Sequence, residues 1–172
     1  MTDFNPILIP DNLKDNTINA VIEIPIGSLE KIEWNPVTKT MKVDRMESIK
    51  FPFPVNYGFI PQTISGDNDA LDVIVSTDNI IPTNTSLLAK VIGIMKFEDE
   101  GQWDDKIVVV PTSENTINSL GDIPKSKLEQ ITNFFNHYKD SEKPNTTIVK
   151  GWGDIDEAKG VINKSIERWN NR

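Results

Sequence analysis

A chain of 172 residues, 37% of them hydrophobic, suits one domain spanning 1–172, and a chain this long buries about 70% of its unfolded surface. Eighteen Lys and Arg against 26 Asp and Glu give a formal net charge of −8, which argues against gripping nucleic-acid backbone and for binding cations. The absence of cysteine excludes a disulfide scaffold, Cys-ligated zinc and thiol catalysis, and a single histidine excludes a histidine cluster for a transition metal. No apolar run reaches the ~18 residues of a membrane span, and the first residues lack the basic start and apolar stretch of a secretory signal. A cytoplasmic protein is therefore expected, and the N-x-S/T triplets at Asn84, Asn145 and Asn163 are read as fortuitous.

The first half reads as β structure. Residues 20–26 alternate apolar and polar and stop near Gly27; residues 30–34 and 40–46 flank Asn35-Pro36-Val37-Thr38, a hairpin turn. Residues 50–66, with Pro52, Pro54, Gly58, Pro61 and Gly66, predict an irregular loop. Further strands are expected at 71–76, 86–97 and 106–110. The period then changes. Leu128, Ile131, Phe135 and Tyr138 follow Pro124 at helical spacing, and Ala158, Ile162, Ile166 and Trp169 repeat it, with a short strand at 147–152 between them. Strands followed by helices predict an α+β fold, mainly β, with an antiparallel barrel and helices against it.

The most informative stretch is Asp67-Asn68-Asp69-Ala70-Leu71-Asp72, a D-x-D-x-x-D at a loop–strand junction. Its carboxylates repel one another unless a cation sits among them; the plainer alternative is a solvated acidic turn. It is no EF-hand, because Asp72 stands where glycine is required and Asp78 where a bidentate Glu belongs. A second acidic group, Glu98-Asp99-Glu100 and Asp104-Asp105, frames a turn that by itself would be an exposed hairpin tip. Two such loops at one barrel end would share divalent ions held by oxygen. Glu23 within a strand, and the cations Lys31, Arg45, Lys106 and Lys139, complete a set suited to a metal-bound phosphate, each also readable as an ordinary surface charge. Neither G-x-x-x-x-G-K-[ST] nor G-x-G-x-x-G occurs, so no standard nucleotide-cradling loop is encoded.

Val21-Ile22-Glu23-Ile24-Pro25, Lys31-Ile32-Glu33, Val43-Asp44-Arg45, Asn56-Tyr57-Gly58-Phe59-Ile60, the motif at 67–72, Asp99-Glu100, Asp104-Asp105-Lys106 and His137-Tyr138-Lys139 together resemble the family I soluble inorganic pyrophosphatases, over about residues 20–152. Each motif is weak alone; their order and intervals make the resemblance specific. It implies an OB-like five-stranded antiparallel barrel with flanking α-helices, and a cytoplasmic Mg²⁺-dependent enzyme that hydrolyses pyrophosphate to two orthophosphates by direct attack of a metal-activated water, without a covalent intermediate. By matched position, it implies that Glu23, Asp67, Asp72, Asp99 and Asp104 hold several metal ions and that Asp69 is the base. Lys31, Arg45, Tyr57, Lys106, Tyr138 and Lys139 would contact phosphate oxygens, Lys31, Arg45 and Tyr57 also serving catalysis, with Glu33 and Asp44 supporting. All-oxygen ligation favours Mg²⁺, with Mn²⁺ or Zn²⁺ as substitutes. The resemblance further implies a homohexamer, while the acidic charge and the lack of a long apolar run predict neither nucleic acid nor membrane as partner.

One position departs from the family pattern: Ala70 stands where proline is usual. Alanine leaves the loop freer but removes no ligand. Competing readings are an OB-like barrel binding single-stranded nucleic acid, which the charge opposes, and a non-catalytic Ca²⁺ module, which leaves Lys31, Arg45, Tyr57 and the Tyr138-Lys139 pair without a role. A metal-dependent phosphatase for organic phosphates is the third.

Overall fold

The computed structural model describes residues 3–4, 13, 15–46 and 51–172, the side chains of 45 and 46 excepted. In chain order the elements are β1 (Thr17–Ile24), β2 (Glu30–Asn35), β3 (Thr40–Met46), β4 (Asn56–Ile60), β5 (Leu71–Val75), β6 (Ser86–Asp99), β7 (Gln102–Trp103) and β8 (Lys106–Pro111). A 3₁₀ turn at Leu120–Asp122, α1 (Lys125–His137), β9 (Thr147–Gly153) and α2 (Ile155–Asn170) follow. None of the described helices is long and apolar enough to cross a membrane.

Five strands close on themselves in the order β1-β4-β5-β8-β6, with β6 pairing back to β1. The expected OB-like barrel is thus present, but it is mixed, because β5 and β8 pair in parallel through Val73↔Ile107, Ile74↔Val108 and Val75↔Val109. The reason is parity: an odd number of strands cannot alternate in direction all the way round a closed ring, so one seam must be parallel. The fourteen-residue β6 runs long enough to pair with β1 at its start and with β8 and β9 further along. The β2–β3 hairpin forms its own two-stranded sheet.

Alternate residues of the central strands enter two different cores. Val73 and Val75 of β5, with Ile107 and Val109 of β8, pack with Ala158 and Ile162 of α2. Ile74, Val108 and Val110 join Phe97, Tyr57 and the α1 residues Ile131, Phe134 and Phe135. Both strand faces are covered, which is why these segments read as continuous apolar runs rather than alternating ones.

The segment expected to be an irregular loop contains β4. Its prolines flank the strand rather than interrupt it, and Gly58 permits a backbone approach that no other residue would: a Cβ there would lie 1.8 Å from the Val21 carbonyl oxygen. The other expected strands and helices are present with ends shifted by a few residues, and the two-residue β7 is additional to them. Gly58→Ala should destabilise the fold by about 3 kcal/mol or more, since the obstructing atom is main chain in the β1–β4 seam; the midpoint of urea unfolding measures this.

Candidate active site

One end of the barrel opens into a cleft of about 430 Å³. Glu23 reaches it from β1, Lys31 and Glu33 from β2, Tyr57 from β4, and Asp72 from β5. Asp67 and Asp69 come from the loop between β4 and β5, Asp99 from the end of β6, Asp104 from the turn just before β8, and Lys106 from the first position of β8. Tyr138 and Lys139 stand where α1 terminates. Every expected metal ligand, base and phosphate contact except Arg45 is thereby brought together. Arg45 pairs through its backbone with Lys31 across the hairpin, but its side chain lies outside the described residues.

Charge dominates this cleft: seven carboxylates (Glu23, Glu33, Asp67, Asp69, Asp72, Asp99, Asp104) face three ammonium groups, a formal excess of four negative charges. Lys106, 1% exposed, donates to Asp72 Oδ2 at 2.7 Å and to Asp104 Oδ2 at 2.8 Å, with its Nζ 5.5 Å from the Tyr57 ring and 5.0 Å from that of Phe97. Burial works against its charge, but Asp72 and Asp104 outweigh burial and hold the ammonium pKa above its usual value. Lys139 pairs with Asp99 Oδ2 at 2.5 Å and Lys31 with Glu33 Oε1 at 2.6 Å. Asp44 lies 3.8 Å from the same Lys31 ammonium but is not part of the cleft wall.

The carboxylates themselves sit in costly places. Burial pushes the Glu23 carboxyl up to about 8, although the Trp34 backbone N–H donates to its Oε2 at 2.7 Å. Burial likewise pushes Asp104 up to about 7, opposed by Lys106 and reinforced by Asp72. Asp69, on the rim, is raised by partial desolvation and by Asp67 and Asp72. Tyr57 and Tyr138 are buried phenols shifted upward by that burial, so both remain protonated donors at neutral pH.

The donor set fits a hard cation. Asp99 Oδ1 is buried and has no hydrogen-bond partner, an acceptor of the kind a divalent ion would satisfy. Among the described residues no three of these carboxylates form a ready-made cage for one ion; Lys106 and Lys139 occupy part of the space between them.

Other residues considered in the sequence turn away. Asp105 accepts from Lys96 at 3.1 Å and from the Phe97 N–H at 3.0 Å, Glu100 pairs with Lys143 at 2.7 Å, and His137 pairs with Asp140 at 2.9 Å on the exposed side of α1. Two contributors escaped the sequence reading. The Trp34 N–H that holds Glu23 left no signal, because any residue type offers a backbone N–H. Trp169, which lines the cleft from α2, looked like one more member of an apolar stripe.

The inorganic pyrophosphatase family model matches residues 20–170. The chain belongs to the inorganic pyrophosphatase family. It is thus an enzyme, a hydrolase. It is 50% identical to the inorganic pyrophosphatase of Neisseria meningitidis serogroup B, over 99% of this chain and 98% of that one. The same identity holds with the inorganic pyrophosphatase of Haemophilus influenzae over the whole of both chains. The crystal structure of an inorganic pyrophosphatase from Neisseria gonorrhoeae superposes with a TM-score of 0.94 at 49% identity, covering 98% of this chain and 99% of that one.

The raised Glu23 predicts a pH dependence in the presence of a chelator. Its folded pKa lies above its ordinary 4.5, so folding takes up a proton and stability falls as pH rises from 4.5 towards about 8. Glu23→Gln removes that contribution. Across this window the variant should gain stability relative to wild type by up to ~1.4 kcal/mol per pH unit, measured by chemical unfolding; a difference flat in pH would contradict the assignment.

Proposed function

We propose that this protein hydrolyses inorganic pyrophosphate to two orthophosphates with Mg²⁺ as cofactor, by direct attack of water. The observation that carries the reading is the cleft itself, in which seven carboxylates and three lysines from six elements and a loop converge on a chain of this family. Asp67, Asp72, Asp99, Asp104 and Glu23 are the oxygen ligands, and the unpartnered Asp99 Oδ1 and the excess negative charge support them in that role. When bound, divalent cations supply neutralisation of phosphoryl oxygens and a lowered pKa for water.

Asp69 is the base. Its exposed place on the rim and its raised pKa suit a carboxylate that must accept a proton rather than only hold charge. Lys106 and Lys139 have two alternative partners in this scheme. They pair with Asp72, Asp104 and Asp99; with those carboxylates satisfied by a cation, the ammonium groups would be free to hydrogen-bond the oxygens of a phosphate. Lys31, oriented by Glu33, reaches the cleft from the hairpin, and Arg45, whose backbone pairs with Lys31 in register, is assigned to the same anion by its matched position in the family pattern. Tyr57 and Tyr138 hold protonated hydroxyls that can donate to phosphate oxygens. Pyrophosphate carries several negative charges, so positioning and charge stabilisation supply most of the catalysis, and no covalent intermediate is needed.

Phosphate release from pyrophosphate should be rapid with Mg²⁺ and nearly absent after chelation; slow turnover in excess Mg²⁺ would refute the proposal. Asp69→Asn should lower kcat by about 10²- to 10⁴-fold while binding of Mn²⁺ in the absence of substrate is largely kept. Wild-type kcat in that variant would remove Asp69 as the base.

A further inference from the structure

The loop 61–70 carries Asp67 and Asp69 on a backbone with two left-handed residues, Gln62 at φ 59° and Asn68 at φ 70°. Within the loop, the Thr63 hydroxyl donates to the Ile60 carbonyl at 2.6 Å and accepts from the Leu71 N–H at 2.9 Å, closing its base onto β4 and β5. Ser65 ties the two acidic residues: its N–H donates to the Asp69 carbonyl at 2.7 Å and its hydroxyl to the Asp67 carboxylate. Next to Ser65, Ile64 is held from outside the loop. Its N–H donates to the Ser165 carbonyl at 3.0 Å, and its carbonyl accepts from Arg168 Nη1 at 3.3 Å.

Both of those partners belong to the last turns of α2, whose Ala158 and Ile162 are buried in the core and whose Ser165 is fully buried. The helix is therefore a fixed platform, and its Trp169, adjacent to Arg168, forms part of the cleft wall. The tie matters more in this chain because Ala70 leaves the loop without the φ restraint a proline there would supply, so fewer internal constraints oppose its conformational entropy.

We infer that Arg168 is a positioning residue, whose hydrogen bond to the Ile64 carbonyl holds the 61–70 loop against α2 and, through Ser65, sets the Asp67 carboxylate in its cation-binding arrangement. This rests on the proposed reading of Asp67 as a cation ligand. Arg168 touches neither substrate nor cation; it lowers the cost of ordering the loop when a cation binds. Its loss acts on metal affinity and leaves the chemical step intact once metal is saturating. Because Arg168 is exposed, its replacement leaves the core undisturbed.

The test compares wild type, Arg168→Ala and Arg168→Lys by calorimetric titration with Mn²⁺ in the absence of substrate, and by the Mg²⁺ dependence of pyrophosphate hydrolysis. Arg168→Ala should weaken the tightest Mn²⁺ binding by about 3- to 10-fold, as expected for one hydrogen bond. It should raise the Mg²⁺ concentration for half-maximal rate by a similar factor and leave kcat at saturating Mg²⁺ within about twofold. Lysine, which can still donate to the carbonyl, should recover part of the loss. Wild-type Mn²⁺ affinity in Arg168→Ala, or a lysine variant no better than alanine, overturns the inference. Failure of the wild-type protein to hydrolyse pyrophosphate overturns the functional reading instead, and the Mn²⁺ titration still decides the role of Arg168.

Discussion

The ammonium of Lys106, buried between Asp72 and Asp104 at 2.7 and 2.8 Å, is the contact on which the cleft depends. It joins β5 and β8 at the parallel seam that a five-stranded ring requires, and it does so at the end of the barrel where the carboxylates collect. A buried charge is tolerated only when paired and hydrogen-bonded, so removing either carboxylate would weaken the ammonium's hold, and removing the lysine would strand both acids. The rings of Tyr57 and Phe97 beside Lys106 belong to the α1 core, so cleft electrostatics and core packing share side chains.

One positive charge between two acids does not balance the rest of the cleft. Seven carboxylates face three lysines; burial together with this excess raises Glu23, Asp104 and Asp69 above their ordinary range, and an oxygen of Asp99 remains unsatisfied. Such a site stores electrostatic cost that cations relieve. The proposed chemistry rests on the same imbalance: lysines freed from their carboxylates would become available to an anion. An acidic protein can in this way serve a highly charged anionic substrate.

The scaffold holds these groups to different degrees. Glu23, Tyr57, Asp72 and Lys106 project from barrel strands with buried neighbours on both faces, whereas Asp67 and Asp69 ride on a loop. Placing reactive groups on a loop gives reach at the expense of order. Here the order is supplied by Thr63 at the base of the loop and by the end of α2 behind it.

Much of the fold and the cleft is readable without coordinates. Alternation and apolar runs locate most strands, the change of period locates both helices, and the spacing of Asp67, Asp69, Asp72, Asp99 and Asp104 marks the acidic groups that the cleft unites. Local pattern fails at β4, since prolines and Gly58 signal irregularity until the close approach of Val21 shows why the glycine is needed. It fails again at the parallel seam, which is a property of ring closure and not of any segment. Composition and spacing establish the available chemistry: oxygen donors in excess, a few lysines, no thiol, and one histidine that points elsewhere. Packing alone settles which acids share a lysine and which lie buried enough to resist ionisation. Packing also brings Arg168 to the Ile64 carbonyl across a separation of 104 residues. No residue pattern announces that contact, because a backbone carbonyl is the same acceptor whatever side chain it carries.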